Sequence, residues 1–405
     1  MAESFFVAST VADKAPFVSY RQMLKLLYQG VAMPGWKPVV TLPNIELEEP
    51  IEGGLVALVP AHDSRVKSLV KAHINFRKYL GRFTDAFGRK FKPSVLIVPE
   101  NVPDFILRAD ALASFRDAIA SSVVPYNRAI ELKYPRGHRV FWVNTFSIFP
   151  WMIDKHYEAL IGNTPAILGM DDVADFRGQS SPDLFRMTLS SRDIDEPLLA
   201  VLIERWRTRY AGGEPAWSER ALFRSLNMAF VASQLPAGTE ITFYDVGRST
   251  ALWVSAFEIL AHPRDSDSGL RQVHDLLESA PWDLDASKAP ICEAFAGRNR
   301  PRRSRNTACW LYGELCHARN DFLHGNPVEM DRLIIDKTGR NLFDFAAPLY
   351  RMALAAFLSL AWSKPLPSVD DAAEFVRYIS DRMDFMSYQR AIEEGLLKAH
   401  EPHKR

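Results

Sequence analysis

The stretch CHARNDFLHGNP, Cys316–Pro327, gathers Arg319, Asn320 and His324 at what reads as the end of an amphipathic helix. A guanidinium can brace a phosphate as negative charge builds on it, and an imidazole can take up a proton near neutral pH. An amide beside them can orient either group. The chemistry that suits this set is RNA transesterification, in which the ribose 2′-hydroxyl attacks its own phosphate and leaves a 2′,3′-cyclic phosphate. The nucleophile is internal, so neither a metal nor another cofactor is expected.

Spacing qualifies this reading. Each helical residue turns by about 100°, which puts Asn320 and His324 on one face and Arg319 roughly 140° from His324. His317, seven residues earlier, shares the His324 face and is taken as a supporting residue. Cleavage needs a base for the hydroxyl and an acid for the departing 5′-oxygen, and one imidazole cannot serve both sides. A two-fold homodimer bringing two copies of the helix together is therefore expected. The same residues would also suit an ordinary helix end, where a basic side chain complements the dipole and Gly325 and Pro327 stop the helix.

Just before this helix, GRNRPRRSRN (297–306) carries Arg298, Arg300, Arg302, Arg303 and Arg305. These are candidate RNA-binding residues, a cluster of positive charge placed to grip phosphates. A solvated loop is the plainer alternative. Cys309, Cys316 and His317 match no zinc-knuckle spacing, and no phosphate-loop, dinucleotide or nucleophile-elbow pattern occurs.

The elements that position these residues fall into two halves. PVVTL (38–42), LVALVP (55–60), SVLIVP (94–99) and RVFWVNTF (139–146) read as strands, with helices expected over Asp63–Phe83 and Asp104–Ser122. In the first of these helices Phe76, Tyr79 and Phe83, interleaved with Lys and Arg, could stack bases; the favoured reading puts the aromatics in the core and the charges on a solvated face. After Pro182 the strand signals fade. Helices are expected over 218–235, capped by Ser218, and over 249–262, 307–325, 347–362 and 370–400. The expected class is α+β: a mixed α/β domain over 1–205, then an all-α helical bundle over 206–405.

Bulk composition narrows the setting. The chain has 405 residues, 47% hydrophobic and 24% charged, with a formal net charge of +0. No global field draws it to nucleic acid or membrane, so any such affinity must be local. The start, MAESFFVASTVADKAPF, lacks a secretory pattern, and the apolar run Met352–Trp362 is too short to cross a bilayer. Three unpaired cysteines fit a reducing compartment. A cytoplasmic protein without membrane association is expected.

YGELCHARNDFLHGN resembles the motif of the HEPN superfamily, Arg and a polar residue followed by His after a short spacer. The upstream Tyr and the closing HG are similar to the Apea-like branch. ALWVSAFEILAHP resembles that branch's apolar helix with an embedded acid, here Glu258, and FAAPLYRMALAAFL its following helix. The resemblance covers roughly 218–362. It implies a HEPN-like bundle in the second half, with Arg319 and His324 catalytic, Asn320 supporting them and Glu258 an orienting partner. It further implies a ribonuclease toxin or phage-defence effector, with an antitoxin or defence partner. The alternative it implies is a non-catalytic module that binds RNA or nucleotide, or a dimerisation scaffold.

Overall fold

The structure, a computed structural model, describes residues 35–402 apart from 86, 136–141, 143, 149–151, 154–159, 162–178, 181–186, 211, 235–241, 266–268, 298–300, 325, 330 and 368–370. An antiparallel sheet opens the described chain. Strands β1 (Trp36–Leu42), β2 (Ile45–Leu47), β3 (Ile51–Glu52), β4 (Ala57–Val59) and β5 (Ser94–Pro99) precede the first long helix; four of them pair in the order β1-β5-β4-β3, and β2 pairs in parallel with β6 (Met187–Leu189). Leu42 lies opposite Ser94 and Trp36 opposite Pro99, with a register shift between Pro38 and Val40. Pro38 lacks an amide donor, which suits it to an irregular rung.

The continuous apolar run of β5 has a simple cause. Val95 and Ile97 face one core with Val66, Phe76 and Tyr79, while Leu96 and Val98 face another with Phe115 and Leu112. Alternate side chains of one strand are thus buried on both sides of the sheet. The first face is covered by α1 (Ser64–Ala72) and α2 (Ile74–Leu80). A single helix was expected over Asp63–Phe83; it is broken at His73, whose backbone is extended (φ −122°, ψ 105°). Phe76, Tyr79 and Phe83 are buried, as expected.

The second face is covered by α3 (Ala109–Lys133), which follows a 3-10 turn over Asp104–Leu107 and runs past the expected end at Ser122 and through Pro125. This helix packs against four later helices: α4 (Glu196–Arg209), α5 (Trp217–Ser233), α9 (Ala346–Phe357) and α10 (Ala372–Leu397). Burial on nearly every side from Ala111 to Pro125 erases the amphipathic period that would mark its end. Half of the strand expected over 139–146 falls outside the described residues, and Asn144–Phe146 form a turn.

The remaining helices are α6 (Phe243–Ala261), α7 (Leu270–Glu278) and α8 (Thr307–Leu323). The chain is α+β, a small antiparallel sheet followed by a mostly helical region. One cluster of buried residues extends from Val39 to Ala399, and the expected boundary at 205/206 falls inside α4. Ser218 lies inside α5, whose cap is Ala216. α6 begins six residues before Ser249, at a capping box in which the Thr242 amide donates to Asp245 at 2.8 Å. The helical region also contains a short hairpin, β7 (Cys292–Ala294) and β8 (Arg303–Arg305), that the apolar pattern did not announce. No described helix is long and apolar enough to cross a membrane.

Candidate functional site

The helix that carries the motif begins at Asn306, whose side chain accepts from the Cys309 amide at 2.9 Å. One side of α8 is pressed into the core through Leu311, Tyr312, Leu315 and Ala318. Its last turn meets α6 closely: a Cβ on Gly247 would sit 2.4 Å from the Phe322 ring, so only glycine permits this approach. Phe243 completes the contact, its ring 5.1 Å from that of Phe322.

Arg319 lies on this α6 side. Its Nη2 donates to Glu258 Oε1 at 2.7 Å, across the helix pair. Burial raises the Glu258 carboxyl above its ordinary range, and the neighbouring guanidinium pulls it back down. Arg319 Nε is buried without a protein partner, as is the hydroxyl of Tyr312. Burial raises both the Tyr312 hydroxyl and the Cys316 thiol, so neither is an anion at neutral pH. Arg319 is therefore held by one carboxylate beside two neutral groups, with its side chain partly exposed.

The opposite face of α8 carries a different group. His324 follows the last helical residue, is exposed, and its amide donates to the Asn320 carbonyl at 3.0 Å. Gly325, expected to close the helix, lies outside the described residues. Asn320 is half-buried. His317 stacks on Phe295 with ring centroids 4.7 Å apart and planes 5° from parallel. Its Nε2 lies 3.8 Å from Asp321 Oδ2, and the same oxygen accepts from Arg332 Nε at 2.6 Å. The structure thus joins Arg319 to Glu258 and places His317, Asn320 and His324 on the other side of the helix.

Of the arginine stretch, Arg298 and Arg300 lie outside the described residues. The other three occupy or flank the β7–β8 hairpin. Arg302 donates to the Glu293 carbonyl at 2.9 Å and pairs with Glu314, and Arg305 pairs with Glu278 at 2.7 Å. Arg303 is exposed on β8. Two of the three therefore also tie the hairpin to α7 and α8. Ion pairing to the bundle compensates positive charge near the start of α8, where it opposes the helix dipole.

A cleft of about 670 Å³ opens beside the hairpin, with Arg302, Glu314, Trp310, Arg332 and His400 among its lining residues. It borders the His317 face of α8. Cys309 is buried against the His274 carbonyl, Cys316 faces Arg319 and His317 faces Phe295, so these three do not converge on one point. Asp321 and Phe295 escaped the sequence reading. The first was visible four residues after His317, whereas the second is brought in from the hairpin and had no local signal. No family model, curated protein or solved structure matches the chain.

Proposed function

We propose that the chain is an endoribonuclease that cleaves RNA through the ribose 2′-hydroxyl without a metal ion. The observation that supports this reading is the pairing of Arg319 with Glu258, which fixes a guanidinium on the motif helix within reach of solvent. Arg319 and His324 lie on different sides of one helix, so in a two-fold dimer Arg319 of one chain braces the phosphate while exposed His324 of the other takes the 2′-hydroxyl proton. The new bond joins O2′ to phosphorus and the breaking bond joins phosphorus to O5′, giving a cyclic phosphate and a 5′-hydroxyl. A homodimer through the helical region, a cytoplasmic location and a role as toxin or phage-defence effector with an antitoxin or defence partner belong to this reading through the HEPN resemblance.

A second reading is a HEPN-like module that binds RNA or nucleotide without cleaving it, or holds a dimer together. The burial of Arg319 Nε favours it, since a guanidinium committed to the helix interface has less to give a phosphate. The deciding experiment incubates purified protein with RNA, with and without EDTA, and identifies the new ends. Cyclic phosphate and 5′-hydroxyl ends in both samples support the nuclease. Loss of cleavage on chelation, with 5′-phosphate ends, rules the mechanism out.

A further inference from the structure

His317 is held as a working imidazole is held. Its ring lies flat on Phe295 (4.7 Å, 5°), its Nε2 faces the Asp321 carboxylate at 3.8 Å, and 40% of its side chain remains exposed. The carboxylate is itself fixed, by Arg332 Nε at 2.6 Å on one oxygen and by Asn326 Nδ2 at 3.1 Å on the other. Phe295 reaches this position because Gly313, one turn below His317, has no side chain: a Cβ there would meet the Phe295 amide nitrogen at 3.0 Å. Orientation by a carboxylate leaves the far ring nitrogen free to act. Glu314, three residues before His317, and Arg332, which holds Asp321, line the neighbouring cleft.

The helix then sets the relation to His324. Seven residues amount to about 10 Å of rise and only about 20° of rotation. Two imidazoles so placed face the same strip of solvent. Each can reach about 3 Å toward one of the two apical oxygens of a phosphate attacked in line.

We propose that His317, oriented by Phe295 and Asp321, is the general acid that protonates the departing 5′-oxygen, so that one chain holds both proton carriers. This rests on the nuclease reading and changes only where its acid comes from. His324 takes the proton of the 2′-hydroxyl, O2′ bonds to phosphorus, the P–O5′ bond breaks, and protonated His317 delivers its proton to O5′. The proton balance is closed when His324 returns its proton to solvent and His317 is recharged. Asp321 is a positioning residue.

The test compares ordinary RNA with RNA in which the scissile 5′-oxygen is replaced by sulfur, a leaving group that needs no proton. His317→Ala and His317→Gln should cleave ordinary RNA about 10²-fold more slowly or worse. On the sulfur-linked RNA they should come within a few-fold of wild type. His324→Ala should be slow on both, and Asp321→Asn should lower kcat with little change in KM, with recovery on the sulfur substrate. Mixing His317→Ala with His324→Ala should restore nothing. Wild-type rates for both His317 variants on ordinary RNA, with His324→Ala inactive, overturn the assignment and leave the nuclease reading standing. Equal slowing of folded His317→Gln on both substrates, or recovery on mixing, also overturns it. If wild type cleaves neither RNA, both readings fall together.

Discussion

Arg319 on α8 and Glu258 on α6 meet at 2.7 Å, with 23% and 28% of their side chains exposed. The pair is neither buried nor free, so a phosphate can approach it without unfolding anything. Glu258→Gln keeps the shape and removes the charge. It should cost on the order of 1 kcal/mol of stability and slow cleavage about tenfold through a misaligned guanidinium. Arg319→Ala should slow it by orders of magnitude. Single-turnover rates and melting curves for the two variants and their double form the check. Equal losses of stability with unchanged rates would make the pair structural.

His324→Ala separates the enzyme from the binding module. The residue is exposed beyond the last helical turn, and its backbone amide bond to Asn320 survives the change. Stability should shift by less than about 1 kcal/mol. Under the nuclease reading cleavage drops by orders of magnitude while RNA affinity stays close to wild type. A variant that cleaves at the wild-type rate would remove His324 from the mechanism.

The hairpin arginines divide by their partners. Arg303 is exposed on β8, whereas Arg302 pairs with Glu314 and Arg305 with Glu278. Arg303→Ala should leave melting unchanged and reduce the salt slope of RNA binding by about 1, the loss of one phosphate contact. Arg305→Ala should lower melting, because it releases the hairpin from α7. Filter binding across a salt series, beside thermal melts, distinguishes the two. An unchanged slope for Arg303→Ala would take the RNA path away from the hairpin.

How far the sequence could be read depends on where each signal lived. Local signals survived: the helix beginning at 307 and the strands around Val40 and Val95 followed from apolar period, while the neighbourhood of Glu258 with Arg319 came from the family resemblance alone. Long-range ones did not. Phe295 meets His317 across a hairpin turn, and Asp195 meets Arg351 across more than a hundred residues. Arg351 directly precedes the apolar run Met352–Trp362, yet it is 1% exposed. The break at His73 lies between exposed Ala72 and Ile74, whereas the overrun of α3 past Ser122 follows from burial on nearly every side. Where packing surrounds a segment, periodicity stops reporting its ends.

His274 supplies a pH dependence of stability. It is buried, edge-on to Tyr312 with ring centroids 6.0 Å apart, and its Nε2 has no protein partner. Burial first, then the nearby Arg305 charge, lowers its pKa from 6.5 to about 4. The folded state therefore refuses a proton that the unfolded chain accepts. The neutral ring's contribution is complete above pH 6.5 and is lost progressively as pH falls toward 4, on the order of 3 kcal/mol in all. Urea unfolding between pH 7 and pH 4.5 should show this decline, and His274→Gln should flatten it. A slope unchanged by that substitution would assign the loss to other groups.

Arg351 offers the strongest expected effect on the fold. Its Nε donates to Asp195 Oδ2 at 2.8 Å, with both side chains 1% exposed, and its Nη1 donates to Gln389. Gln389 in turn donates to Glu393 at 2.8 Å, and that carboxylate accepts the amides of Asp283 and Leu284 at 2.7 and 2.8 Å. Asp195 also caps α4 through the Leu198 amide at 3.1 Å. The network ties the starts of α4 and of the 283–288 turn to α9 and α10, and every charge in it is out of water. Arg351→Ala would leave the Asp195 carboxylate buried beside a cavity, a loss of about 3–5 kcal/mol. Arg351→Met paired with Asp195→Asn removes both charges, keeps the cap and fills the space, so it should recover much of that loss. Chemical denaturation of the single and double variants measures the coupling. A double variant no more stable than Arg351→Ala would show that the network's shape, rather than its stranded charge, sets the cost.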